Sequence, residues 1–210
     1  MKVMEERHPL WIRIFHWINA VSIILLMWTG YYIHAPHSFR VFSNMDTPRM
    51  LHFGMAYLLL VGVIGRVYYA IVTGDSKNIV FRPIKDTRNF PSMIKYYLFM
   101  TDSHPDYGKY NPGQKMMYTS WLIMVLLQII TGFILYKPHL FPALGAFLGG
   151  LIAVRVIHYV VTWLFLLSVV VHVYLDISEG IPVLKSMFTG KIPADFHETG
   201  DIQEGKSVSA

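Results

Sequence analysis

The sequence predicts an all-α membrane protein: a four-transmembrane-helix bundle with both termini cytoplasmic and an interfacial helix in its central cytoplasmic loop. Three observations predict it: a shortage of charge, four apolar runs of spanning length, and a lopsided distribution of lysine and arginine. Hydrophobic residues make up 54% of the 210-residue chain and charged residues 15%, whereas soluble domains hold roughly 45–50% and about 25%. A water-exposed surface of ordinary size needs more ionised groups than this chain possesses.

A helix needs about 20 consecutive apolar residues to cross the hydrocarbon core. The first run, about residues 10–33, stops at Ala35-Pro36. It resembles an uncleaved signal anchor, but it lacks a small-residue cleavage site and is too long for a signal peptide, so it is expected to stay in the mature protein. The second run, about 50–72, ends at Thr73-Gly74. In the loop that follows, Phe90, Met93, Ile94, Tyr97 and Leu98 recur at helical spacing. They predict a helix lying on the cytoplasmic leaflet, with a surface helix packed on its own loop as the alternative. The third run, about 116–136, ends at Lys137-Pro138, and the fourth covers about 151–177. Residues 1–190 thus read as one membrane domain and 191–210 as a polar, disordered cytoplasmic tail.

Fourteen of the 18 Lys and Arg residues fall in the N-terminus, the loop between spans two and three, and the tail. The other two loops hold Arg40, Arg49, Lys137 and Arg155. The positive-inside rule therefore puts both termini and the central loop in the cytoplasm. The net charge of +5 is scattered beside apolar runs and forms no basic stripe, which excludes nucleic acid as a partner. Cysteine is absent. Disulfides, thiolate catalysis, zinc–cysteine sites, cysteine-held clusters and covalently attached haem are thereby excluded together. A metal centre must rest on histidine, carboxylate or methionine.

Four of the ten histidines fall inside spans: His16, His52, His158 and His172. Ionisable groups at that depth are costly and usually face the bundle interior for a reason. His158 and His172 are 14 residues apart on one helix, which returns to nearly the same face about 21 Å away. Antiparallel packing sets His16 level with His172 near the cytoplasmic side, and His52 level with His158 near the other. Two pairs of imidazoles from different helices suit two haems, each iron taking one nitrogen from either side, and such a centre transfers electrons. A zinc site would leave half its shell unfilled. A proton relay would want central acids, and Asp176 lies near a helix end. Both readings stay open behind haem, as does a helix-to-helix hydrogen bond for any single histidine. His8, His34, His37, His104, His139 and His197 lie in termini or loops and read as solvated.

An arginine precedes three of the four membrane histidines by three residues, in "RIFH", "RMLH" and "RVIH". Arg13, Arg49 and Arg155 thus share a helix face with the ligand one turn nearer water, where a haem propionate needs a cation. Snorkelling accounts equally well for Arg13. Arg49 and Arg155, on the side where positive charge is otherwise scarce, are the stronger candidates. Gly30, 14 residues after His16, and Gly132, at similar depth on the third span, would let a flat ring approach the backbone or simply allow close helix packing. They sit in two matching stretches, "WTGYYIHAP" and "ITGFILYKP".

On these residues the chain resembles the diheme b-type cytochrome subunit of membrane-bound nickel–iron hydrogenases, within the bacterial cytochrome b561-like group. The resemblance rests on Arg13-Ile-Phe-His16-Trp17 with Thr29-Gly30, and on Arg155-x-x-His158-x-x-x-x-Trp163 followed by His172, and it covers about residues 8 to 190. Tyr159 and Ser168 depart from the family pattern, which leaves the surroundings of the non-cytoplasmic haem open. The resemblance implies a multi-pass protein of the bacterial inner membrane that binds two haem b. It would anchor hydrogenase small and large subunits on the outer face and pass electrons to a quinone, menaquinone or ubiquinone. Related cytochromes imply rivals: a subunit of a formate dehydrogenase or molybdenum reductase, or a stand-alone superoxide or quinone oxidoreductase. A haem-free transporter or anchor is the more distant alternative.

Overall fold

The computed structural model describes residues 3–37, 41–98, 100–101, 107, 110–178 and 180–194. Four long helices carry the predicted spans: α1 (Leu10–His34), α2 (Asp46–Val72), α6 (Pro112–Tyr136) and α8 (Gly150–Ser178). Between and after them come α3 (Ser76–Ile79), α4 (Pro83–Thr87), α5 (Phe90–Tyr97), α7 (Pro142–Phe147) and α9 (Ile181–Thr189). Two short strands, β1 (Met4–Glu6) and β2 (Lys191–Pro193), complete the described chain. The predicted helix in the central loop is thus present as α5. His104, His197 and most of the predicted tail lie outside the described residues.

Two spans begin earlier than hydropathy predicts, and polar capping explains both. At α2 the Asn44 side chain accepts the backbone N–H groups of Asp46 and Thr47, each at 3.0 Å. At α6, Asn111 and Gln114 exchange bonds reciprocally: Gln114 N–H donates to Asn111 Oδ1 at 2.9 Å and Asn111 N–H to Gln114 Oε1 at 3.0 Å. This is a capping box around Pro112, and it satisfies helix-end donors that no earlier turn can reach. Such turns are too polar to register as part of an apolar run.

The chain divides into two compact units. One comprises Trp11–Gly74 and Trp121–Ser168. Its core is Leu59 from α2, Val125 from α6, and Val161 and Phe165 from α8, with Ile23, Leu26 and Met27 of α1 packed against them. Only 11–17% of each span's most apolar window is buried within the protein, so most of the apolar surface faces outward, as contact with lipid requires.

The other unit comprises Met1–Leu10, Asp75–Ser120 and Val169–Ala210. In it β1 pairs antiparallel with β2, Glu5 opposite Ile192. The Gly190 carbonyl, at the left-handed C-cap of α9, accepts the N–H groups of Arg7 and His8 at 2.9 and 3.1 Å. His8 is consequently buried, at 6% exposure, which corrects its reading as a solvated terminal residue. Asp86, also buried, accepts the Arg82 N–H at 2.6 Å and faces the Lys115 ammonium at 3.4 Å, tying α4 to the start of α6.

Candidate functional site

His52 lies nearly two turns inside the capped start of α2, and His158 about two turns into α8. Both belong to the same unit, and their ring centroids are 6.5 Å apart with planes inclined at 58°. Beside them opens a cleft lined largely by apolar side chains, among them Leu26, Phe53, Ala56, Phe133 and Phe165.

Each imidazole is held from behind. His52 Nδ1 lies 3.0 Å from Thr29 Oγ1 on α1, and His158 Nδ1 lies 2.8 Å from Thr131 Oγ1 on α6. A Cβ added to Gly30 would meet His52 Cε1 at 3.2 Å, and one added to Gly132 would meet His158 Cε1 at 3.5 Å. The space beside both glycines is therefore occupied by an imidazole edge. Gln128 of α6 donates from Nε2 to the His158 carbonyl at 3.1 Å and to Thr162 Oγ1 at 2.9 Å, fixing α6 against the turn of α8 that carries the histidine.

Arg49 and Arg155, one turn before these histidines, are exposed and have no ion-pair partner among the described residues. Arg13 is half-buried on α1, and His16, one turn later, lies 5.0 Å from the Trp17 ring. His16 belongs to the same unit as His52 and His158, whereas His172 belongs to the other. There its Nε2 lies 3.5 Å from Asp176 Oδ2 within the last turns of α8. The two departures from the family pattern both have partners. Tyr159 lies 4.6 Å from the His34 ring, and Ser168 accepts the Trp121 indole N–H at 2.7 Å.

The Prokaryotic cytochrome b561 family model matches residues 7–190. The chain belongs to that family.

Relatives align along most of the chain. The chain is 30% identical over 203 residues to a "Probable Ni/Fe-hydrogenase B-type cytochrome subunit" of Rhizobium leguminosarum bv. viciae, covering 86% of this chain and 85% of that protein. A protein of the same name from Azotobacter vinelandii is 29% identical over 197 residues, covering 85% and 82%. A protein of Azospira oryzae carrying the name of a protein-methionine-sulfoxide reductase subunit, YedZ1, is 26% identical over 162 residues, covering 73% and 81%.

A prokaryotic cytochrome b561 is a multi-pass inner-membrane protein that carries b-type haem and transfers electrons. The His52 and His158 surroundings fit such a group. A metal bound by one nitrogen of each ring at about 2 Å needs ring centroids about 6 Å apart, close to the 6.5 Å found here. With both Nδ1 atoms engaged by threonine, the Nε2 atoms are the nitrogens left for a metal. Among the described residues no three His, Cys, Asp or Glu side chains converge to complete a tetrahedral zinc shell. Thr29, Thr131 and Gln128 are absent from the candidates drawn from the sequence. The signal that finds the threonines is the repeated Thr-Gly pair, in which a haem-side role is expected of the glycines alone.

Proposed function

We propose that this chain is the membrane-anchoring electron-transfer subunit of a hydrogen-oxidising respiratory complex, built on two b haems. His52 and His158 hold one haem, and His16 and His172 the other. The partners are the small and large subunits of a nickel–iron hydrogenase on the outer face, and the acceptor is a quinone, menaquinone or ubiquinone. The observation that carries this reading is the 6.5 Å separation of two imidazoles inside an apolar cleft, joined to the hydrogenase-subunit names of relatives that align along most of the chain.

When bound, haem b would supply a one-electron iron couple, and His52 and His158 would hold it. The chain's own residues do the rest. His52 and His158 present neutral imidazole nitrogens from opposite helices. The apolar walls exclude water. Arg49 and Arg155, one turn before the two histidines, would pair with the haem propionates. The His16 and His172 pair is supported by sequence spacing and by the arginine at position 13.

Co-expression with hydrogenase subunits tests the function directly. The expected outcome is a complex that co-purifies with this chain, contains two low-spin b haems per chain, and reduces a quinone analogue at the expense of hydrogen. A haem-bearing chain that ignores hydrogenase subunits overturns the partner assignment. The relative named for methionine-sulfoxide reduction makes such a reductase the second partner to try.

A further inference from the structure

We propose that Thr29 and Thr131 are positioning residues for the haem at the His52 and His158 level: each accepts the Nδ1 proton of one imidazole and so fixes the tautomer that offers Nε2 to iron. The proposal rests on reading His52 and His158 as a ligand pair.

A threonine hydroxyl has a single hydrogen to donate. Thr29 Oγ1 donates to the Leu25 carbonyl at 2.6 Å, and Thr131 Oγ1 donates to the Leu127 carbonyl at 2.6 Å. With that hydrogen committed, the oxygen has only lone pairs to show its next neighbour. The contacts of 3.0 Å to His52 Nδ1 and 2.8 Å to His158 Nδ1 therefore require the imidazole to be the donor. A neutral imidazole protonated at Nδ1 is bare at Nε2, the state a metal ligand needs.

Water cannot substitute for either hydroxyl. Thr29 is 0% and Thr131 1% exposed, so no water replaces a lost hydroxyl; the His158 Nδ1–H would then stand unpaired in an apolar site, whereas the Leu26 carbonyl lies within reach of the His52 ring. The glycine after each threonine faces Cε1 of the same ring. Thr-Gly therefore works as a seat, in which the hydroxyl holds one atom of the imidazole and the missing side chain leaves room for the next. The seat occurs twice, from α1 to α2 and from α6 to α8, and this gives the two matching sequence stretches a shared task.

The bond also tunes the ligand. An imidazole that donates from Nδ1 is more basic at Nε2 and favours ferric over ferrous iron. A hydroxyl already donating to a backbone carbonyl is a stronger acceptor for that proton.

The test is to replace each threonine by valine, and separately by serine, in the full chain purified with its haems. Measured are haem content, the midpoint potential of each haem and the low-spin electron paramagnetic resonance spectrum, which responds to ring orientation. The expected result is that Thr29→Val and Thr131→Val raise the potential of one haem, the one that His52→Ala abolishes. They alter its spectrum and leave the other haem unmoved, while the serine variants keep wild-type values. A valine variant that retains that haem at an unchanged potential and spectrum overturns the proposal. Should valine lose the haem, serine decides: retention at the wild-type potential supports the hydroxyl's role, and loss overturns it. If His52→Ala and His158→Ala leave the haem content at its wild-type value, the ligand-pair reading itself fails, whatever the threonines do.

Discussion

His52 and His158 differ from an ordinary membrane histidine in that a threonine of another helix holds each ring at Nδ1 while the next glycine leaves room for Cε1. Removing either imidazole should cost one haem and spare the second. His52→Ala, His158→Ala and their double variant are expected to bind one haem per chain, whereas His52→Ala combined with His16→Ala or His172→Ala binds none. Pyridine haemochrome assays on purified variants would check this, and a same-pair double variant without haem would contradict the pairing. The two glycines should respond unequally. A Cβ at Gly30 stands 3.2 Å from His52 Cε1, tight enough to displace the ring, while at Gly132 the 3.5 Å to His158 Cε1 is ordinary contact. Gly30→Ala is therefore expected to lower haem occupancy more than Gly132→Ala, and equal occupancies would contradict this.

At the scale of elements, apolar burial does little to join helices in lipid, because the tails are as apolar as leucine. Polar clips between α6 and α8 matter more: Trp121 to Ser168, and Gln128 to the His158 carbonyl and Thr162. Such bonds are worth on average about 0.6 and at most about 1.7 kcal/mol each. Gln128→Leu, which loses two of them beside a ligand histidine, is expected to destabilise by about 1 kcal/mol and lower the thermal midpoint in detergent; an unchanged midpoint would show that α6 and α8 hold without it. The capping box at the start of α6 makes a second element-scale claim. Asn111→Ala should cost about 1 kcal/mol, read as a lower unfolding midpoint, because Gln114 N–H loses its acceptor at 2.9 Å.

For the whole molecule, the charge asymmetry makes the orientation testable. Reporter fusions at either terminus and in the loop containing α5 are expected to report the cytoplasmic side, and fusions after Lys137 the opposite one. A reporter after Lys137 active on the same side as the termini would reverse this scheme. Much of this scale was legible early. The four spans were apparent from run length, with α1 and α8 nearly matching their predicted limits and α2 and α6 starting earlier. The earlier starts were missed because Asn44 and Asn111 act through side-chain geometry, which a hydropathy profile does not contain. The burial of His8 was missed for a similar reason: it depends on the Gly190 carbonyl, some 180 residues along the chain.

By itself the sequence determined the class of the protein, the number and approximate length of its membrane helices, and the histidines that belong to membrane depth. Those properties follow from bilayer thickness and from the cost of an ionisable group in hydrocarbon, both of which act on each segment separately. Only the tertiary structure decided that His52 and His158 stand 6.5 Å apart, and that Thr29 and Thr131 each hold one of them. A hydrogen bond of about 3 Å between neighbouring helices depends on their rotation and register, which runs of similarly greasy residues leave unspecified.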